Sequence, residues 1–384
     1  MGSNKSMIRK WLSRILYVVF LILVVEIALQ GFYFLSSGGF LFSRAAVPIF
    51  TSDPHSVWAV QPNLSYHHAT TEFSIDVFTN SEGFRSSSAH EEYARSRDEE
   101  LFRVIVLGPS FAFGWGVDHE DSFTQALQSR LLEAEFGGGR RIEVINRGVP
   151  GLPAAHNLEW YRQVGRHYTP DLVIQFMYGS LIPARPPDVY VDEDGFLRDR
   201  KVTARQRLVA RAKKSGIVFY SWLVSTRLRS GSSEPGKSGK IEGAGRDLSV
   251  REAFDPESDE VLEATVFYDD LRRTVEESGA RLLVFHFPLS YVVHPEDMAR
   301  WGHLGVRNVD QQIAYNDAFA RHLDGEGYLC LNGTGDLLAY AESTDERLYY
   351  WLDVHWTAEG NAAAADSVVN YLLTHRDWAL GTAE

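Results

Sequence analysis

Arg103-Val104-Ile105-Val106-Leu107-Gly108-Pro109-Ser110-Phe111 is the stretch on which the fold turns. From Arg103 to Leu107 the run is short, rich in β-branched residues and nearly continuous. That is the mark of a strand buried on both faces, since a half-exposed strand alternates with polar residues. Gly108 lets the backbone turn tightly and Pro109 stiffens the turn. Ser110 then stands at the carboxyl edge of a sheet, just ahead of a helix whose positive end favours a developing anion.

The same grammar repeats outward along the chain. Ile142–Ile145, Asp171–Met177, Arg281–Phe287 and Tyr328–Leu331 read as four further strands. Helices are expected around Ser122–Ala134, Leu158–Gly165, Glu257–Ser278 and Asn308–Leu323, and a last one over Ala358–Leu373. Strands of this kind alternating with helices predict an α/β domain: three α/β/α layers, doubly wound on a five-stranded parallel sheet, over residues 99–380. Ligands of such a sheet bind beyond the carboxyl ends of its strands.

An insertion over residues 185–255 interrupts the alternation. It holds a basic helical piece, Ala204–Lys214, an apolar piece, Ile217–Val224, and a Gly/Ser/Lys-rich tract at 230–245 that reads as a flexible loop. The apolar piece is too short to span a membrane, and packing on the domain is favoured over resting at a bilayer surface. Ahead of the domain, residues 36–98 read as a polar arm with a small hairpin around Phe73–Val77.

Near the N-terminus, Ile15–Leu35 is mostly apolar and as long as a bilayer core is thick. It reads as a transmembrane anchor preceding the domain. Lys5, Arg9, Lys10 and Arg14 come before it without any acid, so residues 1–14 are expected in the cytoplasm. Everything after Leu35 is then expected outside it, which for a single-pass protein of the inner membrane is the periplasm. A cleaved signal is the rival reading, but Ser43-Arg44-Ala45-Ala46 is a poor cleavage site. Glu26 and Gln30 interrupt the span, and Glu26 either faces a partner helix or reaches toward the headgroups. The net charge of −13 argues against a nucleic-acid partner, because phosphate binding needs a basic face. The single cysteine, Cys330, excludes an internal disulfide and reads as a packing residue of a buried strand.

Three strand-end features carry chemistry. Ser110 follows the first strand. Asn146-Arg147-Gly148-Val149-Pro150-Gly151 follows the second, where glycine lets a backbone N–H approach a ligand closely. Asp353-Val354-His355-Trp356 precedes the last helix. In an extended backbone residues two apart share a side, so Asp353 can hold one imidazole nitrogen of His355 while the other faces a nucleophile.

Together these blocks resemble the SGNH/GDSL hydrolase superfamily. Gly108-Pro109-Ser110-Phe111 with Gly114-Trp115-Gly116-Val117 looks like its first block, Asn146 to Gly151 like its second, and Tyr178-Gly179-Ser180-Leu181 stands in the place of its third. The Asp353–His355 pair resembles the short form of the last block, familiar from membrane-anchored exopolysaccharide O-acetylation proteins (alginate-acetylation-like). Thr79-Asn80-Ser81-Glu82-Gly83-Phe84-Arg85 looks like the lead-in of anchored members. The resemblance implies a flavodoxin-like SGNH fold with Ser110, Asp353 and His355 as catalytic residues and Ser110, Gly148 and Ser180 as oxyanion hole. It also implies an esterase or O-acyltransferase acting on acyl esters of carbohydrate, with a membrane-bound O-acyltransferase as candidate partner. Pro109 replaces the family's usual aspartate, and Ser180 the usual asparagine. A catalytically weak, glycan-binding assembly subunit is the alternative. Tyr291, His294 and His303, in the loop after the fourth strand, are candidate substrate-binding residues. His286 reads as a core histidine. His67-His68 lacks further ligands at useful spacing, so no metal and no cofactor are expected.

Overall fold

The computed structural model of the chain describes residues 2–37, 40–41, 47–96, 98–185, 187–230, 254–301 and 308–382. Eight strands form one sheet: β1 (Ser65–Ala69), β2 (Ser74–Thr79), β3 (Arg85–Ser86), β4 (Leu101–Gly108), β5 (Arg141–Gly148), β6 (Leu172–Tyr178), β7 (Arg281–Phe287) and β8 (Leu329–Asn332). They lie in the order β8-β7-β6-β4-β5-β3-β2-β1. Strands β4 to β8 are parallel. Among those five the spatial sequence is second, first, third, fourth, fifth, the doubly wound order whose crevice opens between the first and third strands. Ser110 leaves the end of that first strand.

Successive side chains of β4 point to opposite faces. Phe102, Val104 and Val106 enter one core and Ile105 and Leu107 the other, so all eight residues of the strand are buried. Seven helices concern the argument: α1 (Gly2–Ser37), α2 (Phe123–Glu133), α3 (Ala154–Gln163), α4 (Gly216–Ser230), α5 (Asp259–Glu276), α6 (Val309–Gly325) and α7 (Ala358–Thr374). Leu127 and Leu131 of α2 with Ala364 and Val368 of α7 close the first face. Leu158 of α3, Leu271 of α5 and Phe319 of α6 close the second. The three-layer α/β/α reading therefore holds.

The small hairpin expected around Phe73–Val77 is present, and it joins the main sheet. Strands β1 and β2 pair antiparallel with Tyr66 opposite Val77, and β3 pairs with β5 through Arg85 and Asn146. The arm thus extends the five-stranded parallel sheet to eight strands. A two-residue strand has no periodicity to read, which is why β3 escaped the pattern. A second hairpin, Phe50–Asp53 with Val57–Val60, buries Trp58 and Val60 in one cluster with Phe113 and Val149. The arm is therefore packed directly on the turn that carries Ser110.

In the insertion, Val189–Val191 pairs with Leu197–Asp199, and a capped helix runs over Ala204–Ala212 before α4. The 230–245 tract lies, past Ser230, outside the described residues. Helix α1 is continuous, and its Arg9–Ser37 stretch is long and apolar enough to cross a membrane. Glu26 finds its partner inside the chain. Its carboxylate accepts from Ser215 Oγ (2.8 Å) and from the N–H groups of Gly216 (2.7 Å) and Ile217 (3.1 Å) at the start of α4. Tyr33 packs edge-on against Phe219. Cys330 is buried, and burial pushes its thiol up to about 12, which fits a packing residue.

Candidate active site

Ser110 opens a single helical turn, Ser110–Phe113, whose other three residues are buried. The long helix α2 begins only at Phe123, so the expected helix directly behind Ser110 is one turn. Its first N–H groups, Ser110 among them, have no acceptor four residues back within the helix. Gly114 ends the turn in the left-handed region (φ 79°), as glycine does at little cost.

The structure brings Ser110, His355 and Asp353 together. His355 Nε2 lies 2.6 Å from Ser110 Oγ, and His355 Nδ1 meets Asp353 Oδ1. Asp353 and His355 do not lie on an extended strand. Residues 348–357 form a hairpin-like loop in which Leu348 O accepts from Thr357 N–H and Tyr350 N–H donates to His355 O. Asp353 Oδ1 also accepts the His355 backbone N–H (3.0 Å), the local bend aspartate makes with the residue two on. The same carboxyl oxygen thereby fixes both the backbone and the ring of His355. Phe111 and Trp115 flank the imidazole, with ring centroids at 4.9 and 5.9 Å.

The expected oxyanion donors fare differently. Gly148 N–H donates to Asn146 Oδ1 (3.0 Å), so it can serve a developing oxyanion only where the Asn146 side chain turns away. Its lack of a side chain also serves packing. A Cβ there would lie 2.1 Å from Phe113 N, so glycine is what lets the turn that carries Ser110 sit on β5. Ser180 follows the end of β6 on the same rim. Its Oγ accepts from Ile182 N–H (3.1 Å), and a hydroxyl that accepts one bond can still donate its proton. Asn316 Nδ2 holds Gly179 O (3.1 Å), and His286, buried between Asn332 and Asn316, supports that contact. His286 is thus a satisfied core histidine, with burial pushing it down to about 4.

Tyr291 is 3% exposed. His294 Nε2 accepts Leu348 N–H (3.2 Å), and burial brings its imidazole down to about 4. Tyr291 is buried and lines a small pocket with Gly179, His286 and Asn316, while His294 is half-buried. His303 lies outside the described residues. His67 pairs with Asp76 (2.8 Å), while His68 packs among Phe73 and Trp115. Among the described residues no group of His, Cys, Asp or Glu could hold a metal.

Sequence reasoning missed Glu72. Both of its carboxylate oxygens accept Leu352 N–H at 2.8 Å, and the backbone amides of Trp351 and Asp353 bear on it as well. Burial raises its pKa, with the nearby Asp353 charge acting in the same sense. It holds the loop that presents Asp353. Nothing local marks it, because its partner is 280 residues away. Trp351, in the same loop, lies under the guanidinium groups of Arg227 (4.8 Å) and Arg300 (4.0 Å).

No family model matches the chain, and no curated protein matches it. Among solved structures the chain is similar to an acetyl xylan esterase, AlAXEase, at 13% identity and a TM-score of 0.38, covering 71% of this chain and 100% of that one. It is similar to a putative lipolytic protein of the G-D-S-L family from Desulfitobacterium hafniense DCB-2 at 13% identity and a TM-score of 0.36, covering 70% and 98%. A Clostridium thermocellum family 3 carbohydrate esterase aligns at 10% identity and a TM-score of 0.36, covering 72% and 98%. Likenesses this distant carry no argument about activity, which rests on the site itself.

Proposed function

We propose that the protein is a serine esterase or O-acyltransferase acting on acyl esters of carbohydrate, acetyl above all, with Ser110, His355 and Asp353 as its triad. The observation that carries the reading is the unbroken chain of contacts from Ser110 Oγ through His355 to Asp353 at the crevice of a doubly wound sheet. Ser110 Oγ attacks the ester carbonyl carbon as His355 Nε2 takes its proton. The Ser110 N–H and the Ser180 hydroxyl steady the oxyanion. The carbonyl–alkoxy bond then breaks, the alcohol leaves with the proton held by His355, and the acyl group stays on Ser110. Water, or a sugar hydroxyl, then attacks the acyl carbon as His355 takes its proton, the Ser110 Oγ–acyl bond breaks, and His355 returns the proton to Ser110 Oγ. The carbohydrate and acetyl parts of the proposal rest on the short Asp-x-His block and its resemblance to exopolysaccharide O-acetylation proteins.

The apolar length of α1 and the bases ahead of it support a single-pass inner-membrane anchor with the site on the periplasmic side. A membrane-bound O-acyltransferase supplying the acyl group across the bilayer fits that placement, and co-purification from detergent tests it. The test of the activity is acetyl release from an acetylated polysaccharide by the full chain in detergent, compared with Ser110→Ala. Release by the parent and none by the variant is the expected result, and equal release from both refutes the triad. One observation favours a weak or non-catalytic glycan-binding subunit: Gly148 N–H is already bonded to Asn146. Glycan binding with no ester turnover by the parent would select that reading.

A further inference from the structure

Helix Ala204–Ala212 lies on the outside of the protein with none of its nine residues buried. A helix so short is marginal in water without a surface to rest on. Its composition says what that surface is. Arg205, Arg207 and Arg211, followed by Lys213 and Lys214, are interleaved with Leu208 and Val209, which are 69% and 45% exposed. In a chain of net charge −13 this is a local concentration of bases beside apolar side chains. Helix α4 continues the pattern. Phe219, Leu223 and Thr226 turn inward, while Val218 and Trp222 face away from the protein.

The height of these helices on the anchor is set by two contacts. Gln30 Nε2 donates to Lys214 O (2.8 Å), and Glu26 caps the start of α4. From Arg14, the last base ahead of the span, to Phe34 a helix rises about 30 Å, the thickness of a bilayer core. With Arg14 at one headgroup layer, Gln30 and Lys214 stand about 6 Å inside the other, at the depth where an interfacial helix lies. Tyr33 meets Phe219 and Leu352, the residue before Asp353, in one cluster.

We propose that Ala204–Ala212 and the outward face of α4 are a second membrane contact. In it the bases engage anionic headgroups, Leu208, Val218 and Trp222 enter the acyl boundary, and the rim bearing Asp353 is seated at the bilayer surface. The inference rests on the reading of α1 as an anchor. It goes beyond that reading, because an anchor alone leaves the domain free to stand off the membrane. The packing expected for the apolar piece of the insertion is kept: α4 packs on α1 and, through Arg227 and Trp351, on the domain with one face, and the proposal gives its other face to lipid.

The test uses the full chain in phosphatidylglycerol–phosphatidylethanolamine vesicles, spin-labelled at one introduced cysteine at a time. Cys330 is too buried to compete for the label. Val18→Cys reports the anchor, Leu208→Cys the proposed contact, and Leu262→Cys, on the exposed face of α5, reports water. Leu208→Cys is expected to match Val18→Cys, with collisions with dissolved oxygen raised and collisions with a water-soluble nickel chelate several-fold below those at Leu262→Cys. Arg205→Glu with Arg211→Glu is expected to raise nickel access at position 208. A lipid-exposed Val18→Cys beside a Leu208→Cys as wet as Leu262→Cys overturns the contact and leaves the anchor standing. Protection of position 208 from both oxygen and nickel means a protein covers it and also overturns the proposal. A wet Val18→Cys removes the anchor and the contact together.

Discussion

Ser110 and His355 stand 245 positions apart in the chain and 2.6 Å apart at their reacting atoms. A serine after a buried strand and an Asp-x-His ahead of a capped helix are each weak signals alone, and their pairing was legible only through the resemblance of the blocks to the SGNH/GDSL pattern. The roles of glycine and serine around them were less so. Whether Gly148 offers its N–H depends on where the Asn146 side chain turns, and that is a tertiary matter. Two substitutions separate the roles. Gly148→Ala puts a methyl group against Phe113 N and is expected to cost at least about 1–3 kcal/mol of stability, read as a lower urea midpoint. Ser180→Ala, which loses the bond from Ile182 N–H, is expected to cost no more than about 1 kcal/mol of stability and to lower kcat by about 10²-fold on p-nitrophenyl acetate, the usual loss for one oxyanion donor. An unchanged kcat removes Ser180 from the site.

Among elements, the arm matters most and was read least well. Its strands are short and its pairing to β5 rests on two residues, so no period announces it. The turn between β1 and β2 nonetheless delivers Glu72 to the loop of the triad acid. Charged hydrogen bonds of this kind contribute about 1.5–3 kcal/mol, and here the contribution fixes a loop's position. Glu72→Gln keeps one acceptor oxygen and loses the charge. We expect kcat to fall about tenfold with KM unchanged, since the group touches Leu352 and no substrate. An equal rise in KM would place Glu72 in substrate binding instead. By contrast the five parallel strands were legible, because each buries a continuous apolar run that only a sheet covered on both faces can hold, while the helix Thr334–Ser343 and the single turn behind Ser110 were not.

For the molecule as a whole, pH is the informative variable. Burial lowers the imidazoles of His68, His286 and His294 to about 4, and lowers His119 and His156 as well. Each such group binds its proton first in the unfolded chain, so stability is complete above the unfolded value near 6.5 and is lost as pH falls toward 4. Glu72 and Asp297, whose carboxyls burial raises, act in the opposite sense but are fewer. The urea midpoint in detergent is therefore expected to drop between pH 7 and pH 5. A flat profile would mean that these imidazoles are not buried neutral.

The proposed chemistry requires that the Ser110 hydroxyl be activated by the His355 imidazole at the crevice of the sheet. Intact-mass and peptide analysis of the full chain after exposure to a fluorophosphonate measures this most directly, because the reagent bonds only an activated serine. We expect a single adduct on Ser110, absent in Ser110→Ala and formed far more slowly in His355→Ala. A parent protein that stays unlabelled, or carries the adduct on another residue, would contradict the account.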